Sequence, residues 1–402
     1  MRIPLSVPTV GDREKTYVAE AIEGGWIAPV GPEIGVFEAA IARRAGRQRA
    51  VAVSSGTAAL HLMLVTAGIG PGDRVACPTL TFVASINAIT QAGATPVLVD
   101  CDTTGNLDPE LLAELMEEQE KAGTPITAVL PVDLYGKIAD HARIAAIADR
   151  HGAQVLVDAA ESMGSVREGR PAGSHGRAAA FSFNGNKIVT ASSGGAVVTD
   201  DEEFADRVLH LSTQAREPVP HYLHREPGYN YRLSNLLAAL GRAQMEQLDG
   251  FLAARRAHRR RYRELCERVP GLRIMGGDDA GDNCWLTVLE VDPDLHVHGT
   301  SEDHAGQDLA GGSLSATVER LGRLLAVKGI ETRRLFTPLH TQPICADHDR
   351  YPRLVRGVAQ RMFEHTLVVP SSPASNPRQV QEVCRHIEGA LAPRKRPAAV
   401  SR

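Results

Sequence analysis

The run Phe181-Ser-Phe-Asn-Gly-Asn-Lys187-Ile-Val-Thr-Ala-Ser-Ser-Gly-Gly195, continuing as Ala196-Val-Val-Thr199, decides how this chain folds. A short apolar strand gives way to a Ser/Gly-rich turn, and the turn leads into a second strand. Between them one lysine, Lys187, is set at the rim of a core, flanked by Phe183, Ile188 and Val189. Apolar walls and partial loss of water disfavour an ammonium there and favour a neutral amine nucleophile. Glycines at 185, 194 and 195 permit close approach of backbone to a ligand.

Upstream, the buried-looking strand Gln154-Val-Leu-Val157 ends in Asp158. One amine nucleophile and one strand-end carboxylate are the minimum set for a pyridoxal phosphate site, with the lysine as Schiff base and the acid on the pyridinium nitrogen. Each residue also has a plainer reading. A lone lysine is usually a surface charge, and Asp158 could simply cap a helix over Ala159-Ala-Glu-Ser162.

Outward from this pair, residues 1–250 alternate helical patterns with short β-rich runs, the pattern of an α/β fold with a mostly parallel sheet covered on both faces. Asp12 is read as the cap of a helix ending at Gly24-Gly25, with a second helix from Glu33 to Gly46 and a third from Thr57 to Ala67. Strands are expected at Arg49-Ala-Val-Ala-Val53, Arg74-Val-Ala-Cys77, Thr95-Pro-Val-Leu-Val99 and Thr127-Ala-Val-Leu-Pro-Val132. After Asn235 the pattern changes to one long helix from Leu236 to about Arg268, whose basic run Arg255 to Arg263 reads as a solvated face. Trp285-Leu-Thr-Val-Leu-Glu-Val291 reads as a strand of a smaller α+β domain, continued by a helix from Ser315 to Lys328 and a strand-like Gly329-Ile-Glu-Thr-Arg333. The stretch from Asp292 to Gly312 is rich in Gly, Asp and His. Its His296, His298 and His304 fit a flexible polar insertion better than a metal site, because no rigid element fixes their geometry. The expected division is 1–250 for the large domain, 251–392 for the small one and 393–402 for a disordered tail.

Bulk properties exclude several classes. The 402 residues are 43% hydrophobic and 23% charged, ordinary for a globular protein. A net charge of −4 gives no case for nucleic-acid or membrane-surface binding. No apolar run approaches the roughly 18 residues of a membrane helix, and Met1-Arg-Ile-Pro-Leu-Ser6 lacks the apolar core and small-residue cleavage site expected of a signal peptide. Six cysteines, at 77, 101, 266, 284, 345 and 384, show no CxxC pairing, so neither zinc nor a disulfide framework is indicated. A cytoplasmic enzyme with reduced cysteines is expected.

Other stretches suit a ligand in the same fold. Val51-Ala-Val-Ser-Ser-Gly-Thr-Ala-Ala-Leu60 is a strand, a small-residue turn and a helix start, whose free N–H groups and Thr57 hydroxyl suit a phosphate, or merely an N-cap. It is not a Walker loop, and no well-placed GxGxxG supports a nicotinamide enzyme. Phe82, after Cys77-Pro-Thr-Leu-Thr, lies at the carboxyl edge of the sheet, where it could stack on a flat cofactor or pack in the core. Ser182 precedes Lys187 by one short turn and could reach the same phosphate. Gly228-Tyr-Asn-Tyr-Arg-Leu-Ser-Asn235 reads by itself as a helix-capping loop.

Assembled, these residues resemble the DegT/StrS family of pyridoxal phosphate-dependent sugar aminotransferases over about residues 3 to 390. The shared motifs are Gly25-Trp26 through Gly31, Ser55-Gly-Thr-Ala-Ala-Leu60, Pro78-Thr-Leu-Thr-Phe82, Asp158-Ala-Ala-Glu161, Ser182 with Lys187, Gly194-Gly195, Gly228-Tyr-Asn-Tyr-Arg232 and Pro338-Leu-His340. The resemblance implies the aspartate-aminotransferase-like fold (fold type I of pyridoxal phosphate enzymes). It implies that Lys187 forms the Schiff base and shuttles the proton, Asp158 pairs with the pyridinium nitrogen and Phe82 stacks on the ring. Gly56, Thr57 and Ser182 would hold the phosphate, and Glu161 would sit by the cofactor's 3′-oxygen, where the family often has Gln or His. Asn230 would reach the phosphate of a neighbouring subunit, which implies a homodimer with shared active sites.

The implied reaction transfers an amino group from L-glutamate to C4 of a nucleotide-linked 4-keto-6-deoxy sugar, with Arg232 and His340 as candidate substrate contacts. Phe181 to Lys187 and Leu211-Ser-Thr-Gln-Ala-Arg216 are most similar to the branch acting on UDP-4-keto-6-deoxy-N-acetylglucosamine. GDP-perosamine synthases and dTDP-sugar aminotransferases are the alternatives. Two departures bear on the sugar site: Asp133, where this branch more often has His, and the 292–312 insertion. Dehydratases of this fold carry His in place of Lys187, and a non-catalytic relative need not keep Lys187, Asp158 and Ser182.

Overall fold

The computed structural model describes residues 2–277, 280–297 and 315–391. Helices α1 (Asp12–Glu23) and α2 (Pro32–Ala45) precede strand β1 (Arg49–Val53). Then come α3 (Gly56–Thr66), β2 (Arg74–Pro78), α4 (Ala84–Gln91), β3 (Thr95–Val99), α5 (Pro109–Lys121), β4 (Ala128–Val129), α6 (His141–Arg150) and β5 (Gln154–Asp158). A two-stranded ribbon of β6 (Val166–Arg167) and β7 (Arg170–Pro171) leads to β8 (Ala178–Ser182), β9 (Gly195–Thr199) and α7 (Glu202–Ser212). After these lie α8 (Asn235–Met245), α9 (Leu248–Arg268), β10 (Leu272–Ile274), β11 (Thr287–Val291), α10 (Ala316–Val327), β12 (Arg353–Leu354), α11 (Val358–His365), β13 (Thr366–Val369) and α12 (Pro377–Leu391).

The main sheet has the order β1-β9-β8-β5-β4-β2-β3-β12. Strand β9 runs antiparallel to both β1 and β8, and every other adjacent pair is parallel. Alternation along the strands feeds two cores. Ala50 and Ala52 join one with residues of α2, α5 and α6, while Val51 and Val53 join the other with residues of α3, α4 and α7. Both faces being covered explains why these strands read as nearly unbroken apolar runs. A second sheet, β10-β11-β13, is antiparallel. Its core joins Ile3, Tyr262 and Leu265 with residues of α10 and α12. The fold is the α/β, mostly parallel architecture expected from the sequence.

Several local expectations change. The helix expected from Leu236 to Arg268 is two helices, broken at Glu246-Gln247. The Gln247 N–H donates to Gln244 O at 3.1 Å, a tightened turn, and the Gln247 side chain takes over the freed Ala243 carbonyl at 3.0 Å. Gly11, not Asp12, occupies the N-cap of α1, and Glu14 accepts its N–H at 2.8 Å. The stretch 329–333 makes isolated bridges, Ile330 to Ile3 and Arg333 to Val368, rather than a strand.

The basic run of α9 is not a uniformly solvated face. Arg255, His258 and Arg259 are buried. Arg255 donates to the carbonyls of Trp285 and Ser371, and Arg259 to Thr287 Oγ1 and Leu286 O. Burial pulls the Arg255 guanidinium down to about 9. The fixed forks of these arginines fasten the segment that carries Trp285. Periodicity alone could not separate them from the exposed Arg260 and Arg263 of the same run.

Asp100, beyond the end of β3, is fully buried and receives four backbone N–H groups, from Cys101, Arg356, Val358 and Ala359, at 2.7–3.0 Å. It thereby caps α11 from across the sheet edge. Burial acts to raise its pKa, but these N–H bonds outweigh burial and hold the carboxyl below its ordinary value. A depressed carboxyl stabilises the fold above the ordinary Asp value of about 4 and loses that contribution as pH falls through the native value. Asp100→Asn is therefore expected to cost about 2 kcal/mol or more near neutral pH. Urea denaturation at several pH values checks this: the deficit should shrink in acid, and an unchanged midpoint at neutral pH would contradict it.

Candidate active site

Small residues bring the quoted run against the start of α3. Ser55 caps that helix, its Oγ accepting the Ala58 N–H at 3.0 Å. A Cβ on Gly56 would lie 2.8 Å from Ser182 Cβ, and one on Gly195 2.4 Å from Ser55 O, so glycine is what lets α3, β8 and β9 close up. Gly56, Thr57 and Ser182 thus face one cavity of about 530 Å3. With the amide-rich N-terminus of α3 beside two hydroxyls, this end can bind a phosphate.

Asp158, at the carboxyl end of β5, lines the same cavity. Oδ2 accepts Ser85 Oγ–H at 2.9 Å and Oδ1 accepts the Ala160 N–H at 3.1 Å. Burial pushes this carboxyl up to about 6; the Ala160 and Ser85 bonds act the other way, and Glu161 adds to the rise. A buried acid in this state is suited to a cationic partner such as a protonated ring nitrogen.

Lys187 stands on the excursion between the antiparallel strands β8 and β9, whose end is closed by the Phe183 N–H donating to Gly194 O at 2.8 Å. Its Nζ lies 3.1 Å from Glu161 Oε1 and 4.3 Å from the centroid of the Trp285 ring. The Trp285 Nε1–H in turn donates to Asn186 O at 2.8 Å, fixing the indole under the lysine. Glu161 Oε2 accepts the Tyr135 N–H at 2.8 Å. Tyr135 has φ of 52°, a left-handed conformation that is costly for a side-chain-bearing residue and recurs at functional sites. Phe82 lines the cavity and is half exposed, its ring 5.7 Å from that of Phe336.

Gly56, Thr57, Phe82, Asp158, Glu161, Ser182 and Lys187 therefore converge on one cavity. The donor set fits pyridoxal phosphate: hydroxyls and a helix start at one end, a buried carboxylate, a lysine, and an aromatic wall. The two expected substrate contacts lie elsewhere. Arg232 is paired with Glu38 at 2.5 Å and with Ala52 O at 2.9 Å, and His340 Nδ1 is 2.8 Å from Thr79 Oγ1; neither lines the cavity. Nothing in the spacing of a single chain separates an arginine that binds substrate from one that ties a helix to a strand. Asn230 is exposed in a bridge to Thr213 and does not line the cavity of its own chain.

Asp133 does not touch the cavity either. It is fully buried and accepts the Ala139 N–H at 3.0 Å and Ser162 Oγ–H at 2.8 Å, with His141 Nε2 at 2.8 Å. Of the 292–312 insertion only 292–297 is described; His298, His304 and the 393–402 tail lie outside the described residues. Among the described residues no group of three or more His, Cys, Asp or Glu could hold a metal, and no helix is long and apolar enough to cross a membrane.

Sequence reasoning missed Ser85, Tyr135, Trp285, Arg333, Arg334 and Phe336. All but Ser85 line the cavity. Trp285 was legible only as the start of an apolar run. Its functional side is set by the turn Asn283-Cys284, where Cys284 has φ of 54°.

The profile of the DegT/DnrJ/EryC1/StrS aminotransferase family matches residues 8–388. The chain is 41% identical over 373 residues to EpsN of Bacillus subtilis, a candidate pyridoxal phosphate-dependent aminotransferase, covering 92% of this chain and 91% of that one. It is 39% identical over 348 residues to the GDP-perosamine synthase of Caulobacter vibrioides, covering 85% and 86%. Among solved structures, a family aminotransferase from Brucella abortus superposes with a TM-score of 0.82 at 27% identity, over 94% of this chain and 95% of the other. DesI, solved in the presence of its TDP-sugar product, superposes with a TM-score of 0.81 at 29% identity, over 95% and 91%.

Proposed function

Because the chain belongs to the DegT/DnrJ/EryC1/StrS aminotransferase family and is a pyridoxal phosphate-dependent sugar aminotransferase, we propose that it moves the amino group of L-glutamate to C4 of a nucleotide-linked 4-keto-6-deoxy sugar. The observation that carries this reading is the lysine amine and the buried carboxylate on one cavity, Lys187 with Asp158. When bound, the cofactor supplies an aldehyde carbon that takes up and gives up an amino group, and a protonated ring that draws electrons from the adjacent carbon.

The chain's own residues do the rest. Asp158 holds the ring-nitrogen proton, with Ser85 and the Ala160 N–H fixing its two oxygens. Lys187 Nζ moves the proton at the donor carbon as base and then as acid. Thr57, Ser182 and the start of α3 anchor the phosphate, and Phe82 covers the ring. Arg333 and Arg334 are the guanidinium groups on the cavity and replace Arg232 and His340 as candidates for the glutamate carboxylates. Arg334→Gln is expected to raise KM for glutamate roughly tenfold with little change in kcat. Initial rates at varied glutamate measure it, and an unchanged KM would move carboxylate recognition elsewhere.

A homodimer, acting in the cytoplasm with Asn230 serving the neighbouring site, is part of the proposal. The exposed Trp26, Ile27 and Val30 between α1 and α2 support a covered face there. For the sugar, relatives named GDP-perosamine synthase support a GDP-linked substrate, whereas residues 181–187 and 211–216 support the UDP-linked N-acetyl sugar. A panel of GDP-, UDP- and dTDP-linked 4-keto-6-deoxy sugars with glutamate tests the whole reading: turnover on one of them is expected, and none on any would overturn it.

A further inference from the structure

We propose that Glu161 is the acid–base partner of Lys187. Its carboxylate holds the lysine as an ammonium in the cofactor-free site and takes the proton when the nitrogen becomes committed to an aldehyde. The inference rests on the pyridoxal phosphate reading of the cavity and assigns Glu161 a task that contact with the cofactor alone does not require.

The geometry is specific. Glu161 Oε1 lies 3.1 Å from Lys187 Nζ, and both side chains are largely buried, at 4% and 13% exposed. The carboxylate is not free to swing away: Tyr135 N–H donates to Oε2 at 2.8 Å, and Asn283 Nδ2 donates to the Glu161 carbonyl at 2.8 Å. On its other side the ammonium faces the Trp285 ring, a surface that favours a cation. Both contacts favour a cation at this nitrogen, and only one of the two groups can accept a proton.

Asp158, Tyr135, Arg333 and Arg334 share the cavity. Asp158 accepts from Ser85 and the Ala160 N–H and makes no ion pair with Lys187, whose Nζ lies against Glu161 Oε1 instead, while the Tyr135 phenol, pushed well up by burial and by Glu161, is a poor acid. The arginines are cations and accept nothing. Glu161 is left as the acceptor.

The proton count closes. Lysine ammonium and glutamate carboxylate become neutral amine and carboxylic acid, with no change in net charge. The amine lone pair then attacks the aldehyde carbon, the carbon–oxygen bond breaks, and the two remaining N–H protons leave with that oxygen as water. Glu161 retains its proton beside the new carbon–nitrogen double bond and can return it when the lysine is released.

The test uses full-length protein stripped of cofactor, with an amine-acylating reagent and peptide mapping at Lys187. Near neutral pH, Glu161→Gln should raise the labelling rate of Lys187 roughly tenfold over wild type, because the charge-assisted contact to the ammonium is lost. Glu161→Asp should fall between them. An unchanged rate in Glu161→Gln overturns the inference. A readout that needs no variant is the infrared difference spectrum of wild type on adding pyridoxal phosphate. A new carbonyl stretch of a protonated carboxyl is expected, and its absence also overturns the inference. If wild type forms no visible absorbance band with the cofactor, the aminotransferase reading itself fails; a normal band with unchanged labelling removes only the role of Glu161.

Discussion

Lys187→Ala will leave a folded protein that shows no visible band with pyridoxal phosphate and whose kcat is lower by about 10^4-fold or more. The substitution removes the nucleophile and the group that moves the proton, which act as a unit, so no neighbour compensates. Glu161 keeps its Tyr135 N–H and cannot attack a carbonyl in place of an amine. Trp285 keeps its bond to Asn186 O, so the wall stays in place and the loss is chemical rather than structural. Circular dichroism and single-turnover rates with glutamate separate the two: native ellipticity with residual turnover near background is expected. Turnover within tenfold of wild type would contradict the role.

The second large effect is at Asp158, and its sign differs between activity and stability. Asp158→Asn should lower kcat by about 10^3-fold, because an amide cannot hold the ring nitrogen as a cation. The cofactor-free variant should nonetheless be more stable than wild type at pH 8. Burial raises the native carboxyl to about 6, above its unfolded value, so ionised Asp158 opposes folding at high pH and the penalty fades as pH falls toward the unfolded value. The gain should be roughly 1–3 kcal/mol at pH 8 and vanish below about pH 4. Denaturant midpoints across pH read it directly; a variant less stable than wild type at pH 8 would refute the argument. Saturating cofactor should reverse the order, since only the carboxylate gains a cation.

The pattern of the two predictions explains what was legible in the sequence. Strand ends punctuated by Asp158 and Ser182, and a small-residue turn before Gly56, are local features. Their placement on one cavity follows from the parallel order of the sheet, which gathers carboxyl ends along one edge. Lys187 was legible because it stands on the turn between two strands, and Ser182 and Gly194 at the ends of that turn line the same cavity.

Arg232, His340 and Asp133 lie off the cavity for the opposite reason. Each finds its partner far along the chain or inside the core, at Glu38, Thr79 and Ser162, and no periodicity reports such a pairing. The buried arginines of α9 are the same case. A run of basic residues reads as solvated until Trp285, Leu286 and Ser371 present their carbonyls to it. Arg333 and Arg334 were hidden because they lie on an irregular segment that the apolar Gly329-Ile330 made look like a strand.

Borohydride reduction of the protein with bound pyridoxal phosphate, followed by peptide mass mapping, bears most directly on the catalytic assignment. The cofactor mass should appear on the peptide that contains Lys187 and on no other lysine. Its appearance elsewhere, or a protein left unmodified after full reduction, would contradict the assignment of this cavity as the site of amino transfer.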